Sequence, residues 1–166
     1  MKTILWATLS ANGNYAGSSA EHPPKPEALM DFAKWAKLSG NFISGRKTFE
    51  GFRASGADKM FAGLDIVVVS ETSAAIDGVK VVRSPIEAIQ YLESKGHSIS
   101  LFTGGETLHN SVLAQNLADE VVFNFAPVFE NAGMNLVLPL GEYREVSLIE
   151  VKELGGGVVQ MRYGVR

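Results

Sequence analysis

The stretch LFTGGETLHNSVL, residues 101–113, decides the fold. An apolar run of strand length stops at Gly104 and Gly105, and a helix-like pattern starts immediately after them. A second stretch, FISGRKTFEGF at residues 42–52, repeats the arrangement: the run ends at Gly45, and Arg46, Lys47 and Thr48 open a helix. Glycine lets a turn form tightly and leaves the backbone open to close approach. Each turn therefore presents free N–H groups at a helix N-terminus, on the carboxyl edge of a sheet, where open α/β sheets take their ligands. Either turn alone has an ordinary reading as a tight turn with solvated charges. Two in one sheet favour a phosphate-bearing nucleotide, with Arg46, Lys47 and Thr48 adding two cations and a hydroxyl for a diphosphate or ribose phosphate.

Working outward, TILWATLS (3–10) reads as a first strand and ANGNYAGSSAEHPPK (11–25) as a long loop. From Pro26, Leu29, Phe32, Ala33 and Ala36 recur at helical spacing, Glu27, Asp31, Lys34 and Lys37 share a solvated side, and Gly40 offers a stop. NFIS (41–44), LDIVVVS (64–70) and VKVV (79–82) read as buried strands, the last two as sheet interior. SPIEAIQYLESKG (84–96) has full helix punctuation: Ser84 as N-cap, Pro85 in the first turn, Glu87 three residues after the cap, and Gly96 as the stop. SISLFTGG (98–105), TLHNSVLAQN (107–116) and DEVVFNFAPVF (119–129) continue the strand and helix alternation. REVSLIEVKEL (144–154) and GVVQMRYGV (157–165) alternate with period two around GGG, the signature of an antiparallel hairpin. The expectation is one α/β domain over 1–166, a mixed, mostly parallel sheet flanked by helices with an antiparallel C-terminal hairpin.

The chain has 166 residues, 46% hydrophobic and 20% charged, with a formal net charge of -3. That composition sustains a single core and provides no broad cationic face for nucleic acid. Without cysteine there is no thiolate nucleophile and no zinc–thiolate site. No run approaches a membrane span, and the apolar opening is too short for a signal peptide, so the sequence reads as cytoplasmic. His22, His97 and His109 are too scattered for a metal spacing and read as exposed loop or helix residues. Neither G-x-G-x-x-G after a strand nor G-x-x-x-x-G-K-[ST] occurs.

GRKTFEGF, VVVS and LFTGGETLHNSVL, in this order, resemble segments of the dihydrofolate reductases. GGETLHNSVLAQNLADEVVFNFAPVFENAG (104–133) and SANGNYA (10–16) are more similar to the reductase domain of the bacterial bifunctional riboflavin enzymes. The resemblance implies the dihydrofolate reductase-like fold, NADPH as hydride donor and a homodimer. It implies a cis peptide between Gly104 and Gly105 beside the cofactor diphosphate, with Glu106, Thr107 and Leu108 capping it. It places Gly45, Arg46, Lys47 and Thr48 along the adenosine side, with Ser70 nearby.

Three departures bear on chemistry. Glu71 follows the strand serine where many relatives carry an arginine or another polar residue; a carboxylate there repels a 2′-phosphate and suits a 2′-hydroxyl, leaving NADH as an alternative. Asn12 stands where the riboflavin-type segment has aspartate, and an amide orients a hydroxyl without exchanging a proton. The glycine-rich segment after the A-P-V landmark is reduced to ENAGMN (130–135). Candidate proton suppliers are Glu27, Asp31 or a water oriented by Asn12, and Lys25 and Arg53 are candidate partners for a substrate phosphate. The implied reaction is hydride transfer to a ribosylaminopyrimidine phosphate. The alternatives are a pterin or folate reductase, which needs Glu27 or Asp31 to hold the ring, and a nucleotide-binding dimer without catalysis.

Overall fold

The structure is a computed structural model that describes residues 1–15, 22, 24–130 and 141–165. Its strands are β1 (Lys2–Ser10), β2 (Asn41–Gly45), β3 (Asp65–Val69), β4 (Lys80–Val82), β5 (Ile99–Phe102), β6 (Glu120–Ala126), β7 (Ser147–Gly155) and β8 (Val158–Gly164). Its α-helices are α1 (Pro26–Ser39), α2 (Arg46–Ser55), α3 (Pro85–Ser94) and α4 (Glu106–Ala114), with a short 3-10 turn at Ala57–Phe61 that the sequence reading did not anticipate. The strands form one eight-stranded sheet in the order β4-β3-β2-β5-β1-β6-β8-β7. Pairing is parallel from β4 through to β6, and β8 and β7 then add antiparallel, as the period-two pattern around GGG predicts.

Helix boundaries follow the punctuation. Ser84 Oγ accepts the Glu87 N–H at 3.2 Å, and Gly40 ends α1 at φ 71°, a left-handed conformation that glycine adopts at little cost. Alternation along the strands then divides the core. Leu5, Ala7, Ile43, Val67 and Phe102 meet Ala88 and Leu92 of α3 and Leu108 and Val112 of α4 on one face. Ile4, Trp6, Phe42 and Leu101 meet Ala28, Phe32 and Ala36 of α1, together with Phe61, on the other. The Phe32 ring is the hub of that second face, with centroids 5.1 Å from Trp6, 5.5 Å from Phe42 and 5.3 Å from Phe61.

Three expectations are corrected. VKVV forms β4 at the outer edge of the parallel half, because only three residues pair before Arg83 and Ser84 turn the chain into α3. Asp31 leaves the solvated side of α1 and is 7% exposed, drawn inward by polar side chains from the sheet. His109 is fully buried, because it precedes Val112 by three residues and Leu113 by four on the inward face of α4. His97 is half-buried, its Nε2 2.8 Å from Asp65 Oδ2. Among the described residues no helix is long and apolar enough to cross a membrane. Residues 131–135 of ENAGMN lie outside the described residues.

Truncating the aromatic hub leaves a cavity that its neighbours, pinned on two strands and a 3-10 turn, cannot fill. Phe32→Ala is expected to lower the unfolding free energy by about 3–5 kcal/mol, read from the urea midpoint at unchanged slope.

Candidate functional site

The two glycine turns meet. Strands β2 and β5 are neighbours, the Thr103 N–H donates to Ile43 O at 2.9 Å, and the Gly45 N–H donates to Gly104 O at 2.6 Å. The Gly104–Gly105 peptide is cis, as the resemblance implies. A Cβ on Gly45 would stand 3.4 Å from Gly105 N, and one on Gly105 would stand 3.3 Å from Thr48 Oγ1, so side chains here would fill the approach to both turns. Helices α2 and α4 thus begin side by side, and neither Gly45 nor Gly105 supplies a side-chain cap. Among the described residues no N-cap side chain takes up the N–H groups of either first turn, and the positive ends of two helix dipoles stand behind them.

The side chains around this pair divide in their commitments. Arg46 Nη1 donates to Glu50 Oε1 at 3.0 Å, one turn along α2, while Lys47 is exposed. Glu106 is half-buried and Thr107 exposed at the start of α4. Leu108 is packed in the core, so its backbone N–H is the part of it open to a ligand. Ser70 follows β3, one residue beyond the Gly45–Val69 pairing, and its Oγ accepts the Ser73 N–H at 3.1 Å. Arg83, which the sequence reading passed over, braces that turn by donating from Nη1 to Ser70 O and Ser73 O, each at 2.7 Å. Arg53 donates to Asp77 O and lies over the Phe49 ring, at the far end of α2 from the paired N-termini.

A second feature that the sequence reading missed adjoins the glycines. Tyr15 Oη lies 2.6 Å from His109 Nδ1, joining the loop after β1 to α4. Burial, and after it the Glu106 carboxylate, pushes the Tyr15 hydroxyl above its ordinary range. Burial also holds the His109 imidazole down at about 3, opposed in part by the Phe102 backbone. Both groups are therefore neutral near pH 7; Tyr15 donates, Nδ1 accepts, and the proton is assigned to Nε2. The Phe102 backbone approaches the ring, yet among the described residues Nε2 finds no partner of hydrogen-bond geometry. Helical periodicity was the available signal, since His109 falls on the apolar face with Val112 and Leu113.

The structure does not bring the three proton-supplier candidates together. Asn12 Oδ1 accepts from Ser10 Oγ at 2.7 Å and from the Glu130 N–H at 3.1 Å, and Asn12 Nδ2 donates to Glu130 O at 2.7 Å. Its amide ties the loop after β1 to the segment after β6. The Glu27 carboxylate rests against the hairpin turn, where a Cβ on Gly156 would stand 2.6 Å from Glu27 Oε1. Asp31 Oδ2 accepts from Trp6 Nε1 at 3.0 Å and Gln160 Nε2 at 2.6 Å, and Gln160 Nε2 also reaches Asn124 Oδ1 at 2.7 Å. Of the three, Asp31 alone belongs to a network linking a helix with three strands. At the carboxyl ends of β1 and β6, a shallow cleft of about 270 Å³ is lined by Ala11, Pro127, Val128 and Phe129. Among the described residues no three His, Asp or Glu side chains gather as a metal site.

The buried imidazole gives a pH dependence of definite sign. In the unfolded chain His109 takes a proton near its ordinary value of 6.5, whereas in the folded chain it does so only at about 3. Between those values the unfolded state binds more protons, so stability falls as pH drops through the window, by up to about 1.4 kcal/mol per pH unit. His109→Phe is expected to flatten this slope, measured as denaturation midpoints at a series of pH values between about 7 and 4.

No protein-family model matches the sequence, and no curated protein matches it. Solved structures do. A protein of Shewanella sp. PV-4 described as a riboflavin biosynthesis protein superposes with TM-score 0.80 at 19% identity, covering 100% of this chain and 99% of that one. A pyrimidine reductase-like protein from Corynebacterium diphtheriae gives TM-score 0.77 at 14% identity, with 99% and 92% covered. Acinetobacter baumannii RibD gives TM-score 0.73 at 17% identity, and 99% of this chain matches 58% of that one. The chain therefore has the α/β fold of these proteins, the dihydrofolate reductase-like fold that the sequence resemblance implies.

Proposed function

We propose that the protein is a reductase of the riboflavin-biosynthesis type that takes hydride from a reduced nicotinamide dinucleotide and passes it to a ribosylaminopyrimidine phosphate. The observation that carries this reading is the side-by-side start of α2 and α4, joined by the Gly45–Gly104 hydrogen bond, in a fold shared with proteins described as RibD and pyrimidine reductase-like. Those residues fit the cofactor: backbone N–H groups for the diphosphate from the first turns, Thr48 beside them, and Lys47 as a cation. When bound, the dinucleotide supplies the hydride; the protein's own contribution is to align the acceptor, exclude water and deliver one proton.

Asp31 is the residue we assign to the proton, or to the group that steers it. Trp6 and Gln160 fix its carboxylate, while Asn12 and Glu27 are turned to loop and hairpin. Reduced dinucleotide is expected to be oxidised in the presence of the ribosylaminopyrimidine phosphate, followed by absorbance of the reduced nicotinamide. Asp31→Asn should lower kcat by about 10²–10⁴ with dinucleotide affinity unchanged. Gly105→Val, which pushes a side chain against Thr48 Oγ1, should abolish dinucleotide binding. A Gly105→Val protein that still binds normally overturns the diphosphate assignment. The buried carboxylate on α1 also favours a second reading, a pterin ring held by Asp31; turnover with dihydrofolate instead of the pyrimidine would select it.

The reading includes a homodimer and a cytoplasmic setting. Among the described residues strand β7 is an edge of the sheet, with Leu148 59%, Ile149 47% and Val151 52% exposed. An open edge bearing aliphatic side chains is a template for a second copy. Sedimentation should give twice the chain mass, and the double substitution Leu148→Lys with Val151→Lys should give the monomer.

A further inference from the structure

The loop after β1 is closed on itself. The Ser10 N–H donates to Asn14 O at 2.7 Å, the Gly13 N–H donates to Ser10 O at 3.0 Å with Gly13 at φ 86°, and Leu9 and Tyr15 form an antiparallel bridge. From this loop the Asn12 amide meets both polar groups of one residue's backbone: Oδ1 accepts the Glu130 N–H at 3.1 Å, and Nδ2 donates to Glu130 O at 2.7 Å. A backbone donor and a backbone acceptor together admit one orientation of the amide. Ser10 Oγ donates to Asn12 Oδ1 at 2.7 Å, Asn14 Nδ2 adds a second donor to Glu130 O at 3.0 Å, and the Ala11 N–H donates to Val128 O at 2.8 Å. Val128 and Glu130 are thus pinned on either side of Phe129.

The Phe129 ring itself is 85% exposed, although the backbone that bears it is fixed. With Ala11, Pro127 and Val128 it lines the cleft of about 270 Å³ at the carboxyl ends of β1 and β6, the edge where open α/β sheets take ligands. An apolar cleft with one aromatic face suits the flat side of a heteroaromatic ring. The clasp that holds this face depends on an amide. Aspartate, which the riboflavin-type segment carries at this place, only accepts hydrogen bonds when ionised and would set a carboxylate oxygen against Glu130 O. The clasp therefore follows from the residue by which this chain departs from that segment.

Resting on the reading above that the hydride acceptor is a pyrimidine, we infer that Asn12 is a positioning residue whose amide, closed on the Glu130 backbone, fixes Phe129 as the wall against which the acceptor ring stacks.

The test is calorimetric binding of the ribosylaminopyrimidine phosphate, with steady-state kinetics against the reduced dinucleotide, for the wild type, Phe129→Ala, Asn12→Ala and Asn12→Asp. Both positions are exposed, and thermal melting checks the fold. Phe129→Ala should raise the acceptor Kd and KM about tenfold, more than it lowers kcat. Asn12→Ala and Asn12→Asp should weaken acceptor binding similarly at pH 7. Only Asn12→Asp should recover as pH falls from about 6 to 4, where the protonated carboxyl supplies a hydrogen for Glu130 O. Ratios to the wild type at each pH remove the contribution of the Glu130 carboxylate on the clasped segment; Tyr15 and His109, on the other side of the loop, stay neutral over this range. Acceptor affinity indifferent to Phe129→Ala overturns the inference and leaves the reductase reading standing. So does an Asn12→Asp protein that matches the wild type at pH 7 or Asn12→Ala at pH 4. Acceptor binding that Phe129→Ala weakens, in a protein without turnover, overturns the reductase reading and keeps the inference. Failure of a folded wild type to bind the acceptor overturns both.

Discussion

The candidate site depends on one backbone hydrogen bond, from the Gly45 N–H to Gly104 O. It joins the ends of two adjacent parallel strands at the point where each hands over to a helix, so two helix N-termini are fixed side by side. Either terminus alone would be an ordinary helix start with four unsatisfied N–H groups. Held together, their dipoles point at one place, and an anion there meets donors from two directions. Bare backbone is required for this arrangement, since a Cβ at Gly45 or Gly105 would occupy the space in front of the other turn or press on Thr48.

The other half of the carboxyl edge is built differently. Where β1 and β6 end, Ala11 donates its N–H to Val128 O, and the Asn12 and Asn14 side chains both donate to Glu130 O. Polar groups here satisfy one another, and the surface left over is largely apolar, with Phe129 85% exposed. In the Trp6, Asp31, Gln160 and Asn124 network, Gln160 Oε1 is buried without a partner among the described residues. A buried acceptor without a partner costs free energy, so this network is held at some expense of stability.

Much of this was legible in the sequence because it depends on local rules. Glycine after a strand, Ser84 before Pro85, and period two around GGG each have a short-range physical cause, and the structure contains the elements they predict. The tertiary pulls were not legible. Asp31 lies on the charged stripe of an amphipathic pattern, and only the arrival of Trp6 from β1 and Gln160 from β8 makes the buried position tolerable. Tyr15 and His109 are 94 residues apart, and their contact follows from strand order, not from spacing. Arg83 acts on Ser70 because β4 pairs with β3, which a three-residue strand scarcely announces.

Strand order also sets the paired helix starts apart from the buried Asp31 network. Strands β5 and β1 stand between the β2 edge that supports Gly45 and the β6–β8 pair that supports Asn124 and Gln160. The neutral Tyr15–His109 pair lies against that divide, joining the loop after β1 to α4. Were that imidazole charged, it would compete with the helix N-termini for an anion. Burial keeps it uncharged, with its pKa held down at about 3, so the pair adds no charge beside the start of α4.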